Sequence, residues 1–161
     1  MATAPTTPAP LELERFLPYR LSVLSNTISA AIARDYGERF GLAVTEWRVL
    51  AVLGRYDGLS AVEVAERTAM DKVAVSRAVN SLLKSGRIKR DTHVDDRRRS
   101  VLTLSAKGRK VYAEVAPTAL RYERELLSVL DREERAWLER ILGKLIDEGH
   151  DALARAAAPQ R

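Results

Sequence analysis

Cysteine is absent from the 161 residues, which excludes disulfides, thiolate zinc sites, iron–sulfur clusters and cysteine-based redox sensing. No run approaches the roughly 18 to 20 consecutive apolar residues of a membrane-spanning helix, so no membrane partner is expected. Histidine is scarce: His93 and His150 are the only two, and they fall in different predicted elements. Asp147, His150 and Asp151 share the i, i+3, i+4 spacing of one helix face. Near a helix end that is usually the pattern of solvent-facing residues, so no metal and no other cofactor is expected. Ser81-Leu82-Leu83-Lys84 matches an S-x-x-K motif but lies within an apolar helical stripe without companion motifs; an enzyme is not expected. Residues 1–10 carry neither the basic start and apolar middle of a signal peptide nor the arginines of a transit peptide. They read as a flexible tail on a cytoplasmic protein.

What is present is 46% hydrophobic and 30% charged residues, the balance of one globular domain. A chain of this size removes roughly 70% of its unfolded surface from water, enough for a core without covalent staples. The net charge is +5, and its distribution is uneven. Residues 67–110 hold thirteen Lys and Arg against four Asp, a local +9 that leaves −4 for the rest of the chain. A basic centre between acidic flanks suits a surface that lies on phosphates. The charge by itself fits a solvated polar face equally well.

Between Leu11 and Phe40 the apolar residues Leu17, Leu21, Leu24, Ile28 and Ile32 recur at steps of three and four, predicting one long, bent helix over that span with Pro18 near its start. Thr45 opens a second helix ending near Tyr56-Asp57-Gly58. Ser60-Ala61-Val62-Glu63 has the pattern of a capping box and opens a short third helix to about Thr68. Asp71 caps a fourth, with Val75, Ala78 or Val79, Leu82 and Leu83 inward and Lys72, Ser76, Arg77, Asn80 and Lys84 outward, ending at Gly86. Ile88–Thr92 and Ser100–Leu104 read as strands of a hairpin whose tip is the charged segment His93 to Arg99. A fifth helix runs to about Leu130, and Asp131-Arg132-Glu133-Glu134 opens a sixth carrying Trp137, Leu138, Ile141, Leu142, Leu145 and Ile146.

Two helices joined tightly at Ala69-Met70, the second with a small polar and basic outer face, follow helix-turn-helix logic, in which that second helix enters the major groove. Arg77 and Asn80 suit guanine and adenine edges; Lys72 and Ser76 suit phosphate or base contact. Three adjacent arginines, Arg97, Arg98 and Arg99, repel one another at a loop tip and contribute little to folding. In a narrow minor groove they would meet concentrated negative potential. Asp95 and Asp96, amid so much positive charge, are poor candidates for acid–base chemistry and good ones for holding the loop in shape.

Four segments in this order resemble the MarR family of winged helix-turn-helix regulators: Leu59–Glu66, Asp71–Arg77, Leu82–Arg90 and Asp96–Gly108. Glu46-Trp47-Arg48-Val49-Leu50 extends the likeness, which covers essentially residues 11–155. It implies a mostly α fold with a small β-hairpin wing: residues 45–104 form a winged helix-turn-helix, and residues 11–40 and 105–156 form dimerisation helices. It further implies a homodimer on a pseudo-palindromic double-stranded DNA operator. Lys72, Ser76 and Arg77 fall on recognition-helix positions and Arg97 and Arg98 on wing positions. Family members are typically repressors released by a small aromatic anion; for that effector Tyr19, Arg20, Trp47 and Arg48 supply stacking surface and positive charge. Leu17–Asn26 is also similar to the branch that senses hydroxycinnamoyl-CoA thioesters and aryl acids. The cysteine-dependent peroxide-sensing branch is excluded. A helical protein-binding module that keeps the winged fold without reading DNA is the other reading, and it predicts salt-insensitive partner binding.

Overall fold

The computed structural model describes residues 10–92 and 100–158. Its elements run α1 (Leu17–Phe40), α2 (Val44–Arg55), α3 (Ala61–Thr68), α4 (Lys72–Lys84), β1 (Ile88–Thr92), β2 (Ser100–Leu104), α5 (Ala106–Leu127) and α6 (Arg132–Ala157). None of these helices is long and apolar enough to cross a membrane.

The first helix corrects one expectation. It begins at Leu17 and not at Leu11. Pro18 has no N–H to give Glu14 and its ring would clash there, so a helix cannot run through from Leu11. The preceding residues turn instead, with Arg15 N–H on the Glu12 carbonyl and Phe16 N–H on that of Leu13. At the far end Gly41, left-handed at φ 61°, donates its N–H to the Gly37 carbonyl and closes α1.

Caps define most other helix starts. Ser60 and Glu63 exchange side-chain and backbone bonds, as a capping box requires. Asp71 accepts from Ala74 N–H at 2.8 Å, and Asp131 and Glu134 form a second full box. On α2, where Ala43 offers no side-chain acceptor, the nearly buried Glu46 carboxylate reaches back to the Ala43 N–H at 2.7 Å.

Residues up to Ala119 form one compact unit and those from Leu120 onward another. The first holds a single core, in which Val49, Leu50 and Leu53 of α2 meet Val64 of α3 and Val75, Val79 and Leu82 of α4. Ile88, Leu102 and Leu104 seal it from the hairpin side. β1 and β2 are antiparallel, Ile88 opposite Leu104 through Thr92 opposite Ser100. Leu102 N–H also bonds the Leu59 carbonyl at 2.7 Å, a bridge that ties the hairpin to the loop before α3. The unit reaches beyond residues 45–104. Tyr36 on α1 and Val111 and Val115 on α5 belong to the same core, and Arg39 pairs with Glu114 at 2.8 Å.

Gly108 permits the approach of α5. A Cβ there would stand 1.9 Å from the Arg87 carbonyl oxygen, so only glycine lets the helix lie on the joint between α4 and β1. Ser105 fixes the same joint through its hydroxyl, bonded to the Gly86 and Arg87 carbonyls. Arg87 itself donates to the Phe40 carbonyl at the end of α1. In the second unit, α6 has no buried residue.

Candidate nucleic-acid interface

The α3–α4 turn sets the geometry of the site. Ala69 takes a left-handed conformation, φ 51°, and bonds back to the Glu66 carbonyl. α3 thus ends abruptly and α4 restarts under the Asp71 cap. The inner side of α4 is buried through Val75, Ala78, Val79 and Leu82. Lys72, Ser76, Arg77 and Asn80 are all exposed on the opposite side. With 3.6 residues per turn, these four occupy one continuous arc.

A cleft of about 150 Å³ runs beside this arc, lined by Ala61 and Val62 of α3, by Lys72, Ser76 and Asn80 of α4, and by Arg90 of β1. Arg90 was no part of the expected set. Its signal was strand alternation: counting by two from the buried Ile88 places Arg90 on the side of the strand that faces α4. The surface therefore gathers two cations, a hydroxyl and an amide around one shallow concavity. Arg97, Arg98 and Arg99, with His93, Asp95 and Asp96, lie outside the described residues.

The four residues nominated for an effector do not form one pocket within a chain. Tyr19 and Arg20 line an apolar groove of about 520 Å³ along the start of α1, with Leu17, Leu21, Val23 and Leu24. Trp47 instead sits in an aromatic stack, 5.8 Å from the Tyr36 ring and 6.0 Å from that of Tyr112. Arg48 donates to the Ser29 hydroxyl at 3.3 Å. Along α1, Tyr19 precedes Tyr36, which stacks on Trp47, by seventeen positions, about 25 Å at helical rise, and Arg20 precedes Ser29, the partner of Arg48, by nine, about 14 Å. Tyr36 and Tyr112 escaped the sequence reading, because a stack contributed by α1, α2 and α5 has no local spacing. Tyr112 comes close over α2 because residue 54 is glycine; a Cβ there would fall 2.5 Å from the ring. Burial pushes the Tyr36 phenol above its ordinary pKa near 10, and the positive charge of Arg48 offsets part of that rise.

A helix-turn-helix with an exposed basic and polar second helix, followed by an antiparallel hairpin, defines a winged helix-turn-helix DNA-binding protein. Residues 40–99 match the model of the MarR family. The chain is similar to the transcriptional regulator BilQ of Clostridium symbiosum, 33% identical over 93 residues that make up 58% of this chain and 65% of BilQ. It is also similar to a putative transcriptional regulatory protein for the hcr operon of Thauera aromatica, 30% identical over 70% of this chain and 68% of that protein. A MarR/EmrR family regulator from Acinetobacter sp. ADP1 superimposes with a TM-score of 0.79 at 26% identity, over 88% of this chain and 99% of the other. The chain belongs to the MarR family: it is a DNA-binding transcriptional regulator and not an enzyme.

Proposed function

We propose that the protein is a homodimeric repressor. It holds a pseudo-palindromic operator through Lys72, Ser76, Arg77 and Asn80 of two recognition helices and through Arg97, Arg98 and Arg99, and a small aromatic anion or its CoA thioester releases it. The observation that carries this reading is the exposed arc of α4 beside Arg90. Its side chains match the donor and acceptor edges of the major groove, and its charge matches the phosphates.

Support for an aromatic effector comes from the Tyr36–Trp47–Tyr112 stack with Arg48 at its edge. Stacked rings and a guanidinium are what an aryl carboxylate needs. A ligand seated against that stack would press on α2, which packs on both helices of the DNA-binding pair. It would thereby change the separation of two recognition helices that must match about one DNA turn, roughly 34 Å.

Fluorescence anisotropy tests the reading, with the protein's own upstream DNA against scrambled DNA, across a salt series, with and without a panel of aryl acids and their CoA thioesters. Specific binding that falls steeply with salt and is abolished by one compound is the expected result. Weak binding that ignores sequence would overturn it and favour a protein partner for the winged fold.

A further inference from the structure

One apolar side chain interrupts the outer arc of α4. Val73 is 59% exposed, and helical geometry places it between Asn80 and Arg77, with Ser76 beyond Asn80. Folding does not account for it. A valine in that position buries little, and a β-branched residue is a poorer helix former than most. It is also the second residue of α4, at the end of a recognition helix that lies nearest the base edges.

We propose that Val73 reads the 5-methyl group of a thymine in each operator half-site, beside the base read by Arg77. This rests on the operator-binding reading above and adds a base identity to it. The thymine methyl is the one apolar group that the four standard bases display in the major groove. An exposed valine ringed by Ser76, Arg77 and Asn80 is its chemical complement, since the methyl contact removes apolar surface from water while the neighbours meet donors and acceptors. Those neighbours cannot make this discrimination. Thymine and uracil present the same O4 acceptor, so a difference between them reports the methyl alone.

The test uses the full chain and a duplex selected by it from a random-sequence pool, in which each thymine is replaced singly by deoxyuridine. At one thymine per half-site the wild-type protein should lose about fourfold in affinity, the worth of one buried methyl. Val73→Ala, which alters both subunits of the dimer at once, should lose about sixteenfold on the unmodified duplex, fourfold for each half-site, and show no further loss at either position. The variant exchanges an exposed residue for a better helix former, so its melting curve should match the parent's and its affinities report contact alone. A scan flat at every thymine, or a Val73→Ala protein as uracil-sensitive as the wild type, would overturn the assignment while leaving operator binding intact. Failure to select any sequence would overturn both.

Discussion

At the scale of single residues, the first unit depends on two side chains whose replacement by one atom more or less is measurable. Gly108→Ala places a methyl 1.9 Å from the Arg87 carbonyl oxygen, and the obstacle is backbone, which cannot rotate away. Overpacking costs about 1–3 kcal/mol, while alanine's better helix propensity returns at most about 1. The expected result is a lower midpoint of urea unfolding with an unchanged slope, a loss of about 1–2 kcal/mol. Tyr36 makes a pH prediction. Its folded pKa is raised by burial, so the neutral phenol contributes stability that is complete below the unfolded value near 10 and is lost as pH rises through the folded pKa. Unfolding free energy should therefore fall on the alkaline side of about pH 10, and Tyr36→Phe should flatten that part of the profile relative to the parent. Parallel profiles for the two proteins would show that the phenol is not the titrating group.

At the scale of elements, α4 of the proposed repressor divides its labour between charge and identity. Lys72→Ala, which removes one phosphate contact from each half-site of the dimer, should weaken binding to all duplexes about equally and reduce the slope of log affinity against log salt by about two. Arg77→Ala should cost about 1–3 kcal/mol for each half-site of the selected operator and relax preference at one base pair in each. Competition anisotropy on operator and scrambled DNA separates the two patterns. Legibility in the sequence also divides by element. Wherever a cap is local, as at Ser60, Asp71 and Asp131, the helix start is readable to the residue, because the bonding partners stand three positions apart. The strands are readable for the same reason, since their alternation and the flanking Gly86 and Ser105 are local. What escaped depends on distant chain. The bridge between Leu59 and Leu102, the bond from Arg87 to the Phe40 carbonyl and the three-helix aromatic stack each join segments with no common spacing. The start of α1 falls later than the sequence span suggests because Pro18 forbids the backbone to carry a helix through from Leu11.

At the scale of the whole molecule, the apolar surface left in water decides the assembly. Trp137, Ile141, Leu145 and Ile146 form a helical stripe on α6, between 46% and 75% exposed, and no residue of that helix is buried. The start of α1 is similar, with Leu17, Leu21, Val23 and Leu24 all exposed. A 26-residue amphipathic helix whose apolar face stays exposed gains nothing from that face, and in the homodimer proposed above a copy of the same chain would cover it in closed two-fold symmetry. Leu145 lies in a groove of α6 with Ile141, Gly149 and Ala152. Leu145→Glu sets a charge in the middle of the stripe, where burial against a partner would leave it unpaired. Sedimentation equilibrium should then show the mass falling from two chains to one. Because the α4 surface is untouched, affinity for a single half-site should persist while the gain from joining two half-sites disappears, and the salt slope on the full operator should fall to about half. A variant that remains dimeric would place the contact elsewhere than on α6. One that becomes monomeric yet keeps full operator affinity would show that a single winged unit is enough to read the site.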